Sequence, residues 1–131
     1  MEQRKRLSKS ERMKVYEKYQ GRCAYCGYPI AYEDMQVDHL IPIMAMDYSG
    51  KSLEEVETMD NYMPTCRMCN HYKRGSSLEG FRGMIETIPF KLERDSYIFR
   101  VGRRYGNVKA VTKPVRFYFE EIKEAGIHNG D

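Results

Sequence analysis

The chain has 131 residues, 31% of them charged and 41% hydrophobic, which suits one soluble domain with a modest core. No apolar run approaches the ~20 residues of a membrane span, and the basic opening MEQRKRLSKSER lacks the apolar stretch of a signal peptide. Membrane and secreted proteins are therefore not expected. The net charge of +3 hides segregation: residues 1–20 carry seven Lys/Arg against three Glu, residues 32–60 one Lys against eight Asp/Glu, and residues 91–116 eight Lys/Arg against two acids. Basic ends around an acidic middle suit a polyanion along the flanks and a cation between them, although solvated surface also segregates in this way.

In chain order, Ser8 with Glu11 forms a capping box for a helix over Ser10–Tyr19, with Met13, Tyr16 and Val15 as its apolar candidates and Gly21 as its stop. Residues 22–29 read as a knuckle turn. Met35–Ile41 alternates as a strand, with Val37 and His39 on one face and Asp38 and Leu40 on the other; Pro42 ends it. Met44–Gly50 is expected to be a loop. Ser52 and Glu55 cap a short acidic helix to about Glu57. Tyr62-Met63-Pro64 supplies a second strand fragment, and Arg67–Lys73 a helix that Gly75 should terminate. Ser76 with Glu79 suggests a helix to Thr87, ahead of Pro89. Residues 91–105 are ambiguous: Leu92, Tyr97, Ile98, Val101 and Tyr105 fit a loose helical stripe, while Tyr97-Ile98-Phe99 also suits a strand. Val115–Phe119 reads as a strand and Phe119–Ala125 as a terminal helix. His128 falls in a polar tail expected to be disordered.

All four cysteines lie in two CxxC pairs, Cys23-Ala-Tyr-Cys26 and Cys66-Arg-Met-Cys69, with 39 residues between them. A non-secreted chain keeps its thiols reduced, and four thiolates in two knuckles suit a tetrahedral Zn²⁺. Gly27 can take the positive φ that such a knuckle requires. A thioredoxin-type redox pair would be a single CxxC beside a βαβ pattern, which is absent here. With four protein ligands this zinc is structural, a staple for a small core.

Between the half-sites stands Val37-Asp38-His39-Leu40-Ile41-Pro42, then Asp60-Asn61, then Cys66-Arg67-Met68-Cys69-Asn70-His71-Tyr72-Lys73. In this order the set resembles the HNH endonuclease family, the ββα-metal nucleases, in the subclass with a four-cysteine zinc site. The resemblance runs over about Tyr16 to Gly75. It implies a small α+β domain with a ββα-metal (His-Me finger) core, stapled by zinc and flanked by helices, within a single domain over 1–131. A basic C-terminal extension, about 80–125, lies outside the motif.

Carried over by position, the resemblance makes Asp38 a ligand of a catalytic Mg²⁺ or Mn²⁺, His39 the general base, and Asn61 the support of the loop holding that base. Asn70 becomes the second ligand of the ion, and Lys73 a basic residue near the substrate phosphate. Neutral imidazole is a suitable base near pH 7, and a carboxylate with an amide oxygen leaves a hard ion sites for water and phosphate. On a strand, Asp38 and His39 point to opposite faces, so backbone distortion is expected at 38–40. His71 directly follows Asn70, and adjacent helical residues diverge by about 100°, so one of the two reaches the ion; the CxxCN pattern favours Asn70.

DNA is the expected substrate. Arg4, Lys5, Arg6, Lys9 and Arg12 at one end, and Arg74, Arg100, Arg103, Arg104 and Lys109 at the other, are candidates for phosphate contacts. Tyr97, Tyr105 and Phe117 are expected in the core ahead of a stacking role. No recognition helix is apparent, so low sequence specificity is expected. By analogy the setting is the cytoplasm of a bacterial or phage-infected cell, with a second copy or phage packaging proteins as partners. The competing reading is a non-catalytic, zinc-stapled nucleic-acid-binding module in which Asp38, His39 and Asn70 are incidental.

Overall fold

A computed structural model describes residues 6–42 and 52–125. The expected loop at 44–50, Arg4, Lys5 and the tail with His128 lie outside the described residues. The chain divides into two compact units, one of residues up to 78 together with those from 116 onward, the other of residues 79–115.

In the first unit, helix α1 (Lys9–Glu17) opens on the expected capping box: Ser8 Oγ accepts from Glu11 N at 3.1 Å, and Glu11 Oε1 accepts from Ser8 N at 2.9 Å. Its buried face is carried by Val15, with Tyr19 just beyond the helix, whereas Met13 is exposed. The helix ends where Gln20 and Gly21 both take positive φ. Lys18 ties it to the following hairpin, donating to the carbonyls of Met59 and Tyr62 at 2.8 Å each.

The hairpin pairs β1 (Gln36–His39) with β2 (Tyr62–Thr65), antiparallel, with His39 opposite Tyr62 and Asp38 opposite Met63. Between the strands come α2 (Leu53–Val56), capped by Ser52 and Glu55 as expected, and a 3-10 turn over Met59–Asn61. One face of the hairpin builds a core of Val15, Met35 and Tyr62, flanked by Tyr16, Ile30, Val37 and Met59. Helix α3 (Arg67–Lys73) packs against β1 on the other face. It ends on Arg74, at φ 53°, rather than on Gly75.

The return segment completes this unit. Tyr118 N and Phe119 N donate to the carbonyls of Tyr25 and Ala24 at 3.0 and 2.9 Å. Phe117 is buried edge-on to Tyr25. The expected strand over Val115–Phe119 is not formed: α7 (Tyr118–Ala125) begins there instead. Glu120 accounts for the difference, because its carboxylate accepts from Phe117 N at 2.9 Å and caps the helix.

The second unit is helical, with α4 (Leu78–Glu86) leading into it, then α5 (Ile88–Asp95) and α6 (Tyr97–Arg104). Pro89 sits in the first turn of α5, where its missing N–H costs nothing. Ser96 caps α6 by accepting from Phe99 N at 3.1 Å, which settles 97–99 as helix rather than strand. Contrary to the core expectation, Tyr97 and Tyr105 are 75% and 81% exposed. Among the described residues, no helix is long and apolar enough to cross a membrane.

Candidate metal centre and catalytic hairpin

The four cysteine sulfurs converge within 4.8 Å of one another. Cys23 and Cys26 come from the knuckle after α1. Gly27 closes it at φ +80°, and a Cβ there would stand 3.1 Å from the Tyr118 ring. Cys66 caps the N-terminus of α3 and Cys69 lies in its first turn, with Cys66 Sγ accepting from Cys69 N at 3.4 Å. The knuckle is pinned to β2 by Ala24 N on the Pro64 carbonyl at 2.8 Å. Cys26 and Cys66 sulfurs lie 3.8 Å apart, which matches the edge of a tetrahedron with metal–sulfur bonds of about 2.3 Å. A hydrogen bond with Cys69 draws the Cys23 thiol down to about 4 and pushes that of Cys69 up. Donor type, number and spacing all fit a closed zinc site.

Asp38 faces α3 and is buried. Its Oδ2 accepts from the Tyr25 hydroxyl at 2.6 Å and from Lys73 Nζ at 2.9 Å. Burial, then the Asp38 carboxylate, push the Tyr25 pKa up, so the phenol remains a donor. Lys73 is fully buried and also donates to the His39 carbonyl at 3.2 Å. Its ammonium is therefore committed to the end of β1 rather than directed to solvent. One turn earlier, Asn70 Nδ2 donates to Gln36 Oε1 at 2.6 Å. The side chains of Asn70 and Lys73 thus meet Gln36 and Asp38 in parallel order along the strand. The contacts of Asp38 run through Oδ2 and that of Asn70 through Nδ2, so each side chain also carries an Oδ1 oxygen of the hard donor type. In donor chemistry they fit a hard divalent ion. His71 is exposed.

His39 lies on the opposite face, as the strand period requires. The expected distortion at 38–40 is confined to a bend at Leu40, with β1 regular through His39. The imidazole stands edge-on to Tyr62 at 5.4 Å, and its Nε2 bonds Glu57 Oε1. Asn61 is buried and ties the surrounding loops together. Its Oδ1 accepts from Ile41 N at 2.8 Å, and its Nδ2 donates to the carbonyls of Ile41 and Val56 at 3.0 and 2.8 Å.

Arg74 is exposed at the end of α3. Arg103 is clamped by both Glu93 carboxylate oxygens at 2.6 and 2.7 Å, and Arg104 is exposed nearby on α6. Sequence reasoning missed Glu57, Tyr25 and Gln36. Their only local signals are weak: Glu57 stands four residues before Asn61, Tyr25 sits inside a CxxC, and Gln36 precedes Asp38 by one strand period.

No curated protein and no solved structure matches the chain. The family comparison does give a match, and its span runs from the first zinc-type cysteine through the whole hairpin to the end of α3. Residues 23–75 match the family model of the HNH endonucleases.

Proposed function

We propose that the chain is a metal-dependent endonuclease that hydrolyses DNA phosphodiester bonds, nicking or cutting both strands. The observation that carries this reading is the family match over 23–75, which spans Asp38, His39, Asn61, Asn70 and both cysteine pairs. His39 is the general base: it takes a proton from water as the water oxygen bonds to phosphorus. The ester oxygen leaves with its bonding pair and is protonated from solvent. Asp38 and Asn70 would hold the catalytic Mg²⁺ or Mn²⁺, which stabilises charge on the phosphoryl and leaving oxygens when bound. Zinc on Cys23, Cys26, Cys66 and Cys69 keeps β2, α3 and the knuckle in register.

Asp38 and His39 are the last two residues of β1, and the backbone bends away immediately after them. A phosphate at this strand end is approached from both faces, by the ion ligands on one side and the base on the other. Exposed Arg74 and Arg104, with Arg103 beside Glu93, supply phosphate contacts in this reading. The cytoplasm of a bacterial or phage-infected cell offers both DNA and reduced thiols, and a second copy or packaging proteins would direct the cut.

The burial of Asp38 in an ion pair with Lys73 favours a second reading, a zinc-stapled nucleic-acid-binding module without catalysis. Supercoiled plasmid incubated with zinc-loaded protein and Mg²⁺, Mn²⁺ or EDTA separates the two. Conversion to open-circular or linear DNA that requires the ion and is lost in His39→Ala supports the nuclease. DNA binding without any cleavage supports the module.

A further inference from the structure

We infer that Glu57 is a positioning residue for His39, fixing the imidazole as the tautomer protonated at Nε2 and leaving Nδ1 to receive the proton from water. The inference rests on the reading of His39 as the base and adds to it a second residue and a defined nitrogen. A carboxylate only accepts, so the contact between His39 Nε2 and Glu57 Oε1 assigns the ring proton to Nε2. The two side chains are 18% and 7% exposed, so little water competes for this bond.

Glu57 is itself held. The Tyr62 hydroxyl lies 3.4 Å from the same Oε1, and burial followed by the Glu57 charge pushes Tyr62 up to about 12, keeping it a donor. The Tyr62 ring also meets the imidazole edge-on, so one side chain limits both partners. Asn61 links the two flanks: it bonds Ile41, two residues after His39, and the carbonyl of Val56, one residue before Glu57. Lys73 fixes the His39 carbonyl from the α3 side. Asp38 approaches from the opposite face of the strand, so Glu57 is the one acid bonded to the ring among the described residues. A base whose second nitrogen is held by a carboxylate presents its free lone pair in one direction, and the imidazolium it forms is met by a fixed negative charge.

The test uses the full zinc-loaded chain labelled with ¹⁵N-histidine, with His39 assigned by its loss in His39→Ala. In the wild type, at a pH where the ring is neutral, His39 should show a protonated Nε2 and a bare Nδ1. Glu57→Leu should mix the tautomers, while Glu57→Gln, whose amide oxygen still accepts, should keep them. On plasmid DNA, Glu57→Leu should lose roughly tenfold to a hundredfold in kcat with KM little changed, and Glu57→Gln should recover most of it. A wild-type His39 protonated at Nδ1, or a Leu variant with unaltered tautomer and kcat, overturns the inference while His39→Ala remains inactive. Full cleavage by His39→Ala instead removes the base and the catalytic role of Glu57 with it. The ring measurement then still reports whether Glu57 holds the imidazole.

Discussion

Lys73 Nζ and Asp38 Oδ2 form a 2.9 Å ion pair in which the lysine side chain has no exposure at all. Each charge is the other's main compensation, with Tyr25 donating to the same oxygen. Removing one partner of such a pair strands a buried charge, at a cost of about 3–5 kcal/mol, whereas replacing both with apolar groups of similar size is much milder. Lys73→Met should therefore lower the urea midpoint strongly, and Asp38→Leu/Lys73→Met should recover a large part of the loss. A Lys73→Met protein as stable as wild type would show that the ammonium is not what neutralises Asp38.

Asn61 makes three hydrogen bonds to main-chain groups of Ile41 and Val56 from a buried position. With each bond contributing about 1 kcal/mol and buried partners left unsatisfied on truncation, Asn61→Ala should cost roughly 2–4 kcal/mol. Asn61→Asp keeps the acceptor to Ile41 N but cannot donate to the two carbonyls, so it should be damaged as well. Because Asn61 joins Ile41, two residues after His39, to Val56, next to Glu57, cleavage should fall in protein that is still folded, as judged by circular dichroism at low temperature. Retained cleavage and stability in Asn61→Ala would contradict this role.

The local devices of this fold are legible in the sequence because their partners lie three residues apart. Ser8 with Glu11 and Ser52 with Glu55 are of this kind. The opposite facing of Asp38 and His39 is legible for a similar reason, since a strand period of two needs no tertiary knowledge. Arg74 at φ 53° is not legible beside Gly75, because an L side chain in that region is held by its surroundings rather than by preference. Residues 115–119 alternate like a strand, but the Glu120 carboxylate takes the N–H of Phe117 and the knuckle carbonyls those of Tyr118 and Phe119, instead of a third strand. Glu57 was missed because its bond to His39 spans 18 residues, and nothing in a stretch rich in acids singles out that one carboxylate.

The zinc-type cluster unites segments 40 residues apart across the Cys26–Cys66 contact, in a unit whose sheet has two strands among the described residues. Metal removal should thus act on folding itself. Cys23→Ser, or exposure of the wild type to a strong chelator, should lower bound zinc and melting temperature together, with zinc near one equivalent per chain before treatment. Cys23 is fully buried, so Cys26→Ser, at an exposed ligand position, separates lost metal from disturbed packing and should show the same coupled loss. Full zinc content with an unchanged melting temperature in both variants would remove the staple.

Asn70 and His71 compete, by sequence, for one role, and α3 separates them physically. Asn70 is partly buried and hydrogen-bonded to Gln36 on the face that carries Asp38, while His71 is exposed one helical step of about 100° further round. In the proposed reading, an ion held by Asp38 would meet the Asn70 side chain rather than His71. Asn70→Ala should raise the Mg²⁺ or Mn²⁺ concentration needed for half-maximal plasmid cleavage by at least about tenfold, as expected for a lost ligand interaction worth about 1.4 kcal/mol. His71→Ala should leave that requirement nearly unchanged and affect at most the apparent affinity for DNA, with a dependence on salt. Gln36→Ala, which frees Asn70 without removing it, should fall between the two. If His71→Ala shifts the ion requirement and Asn70→Ala does not, the imidazole is the ligand and α3 must turn that face toward Asp38 when the ion binds.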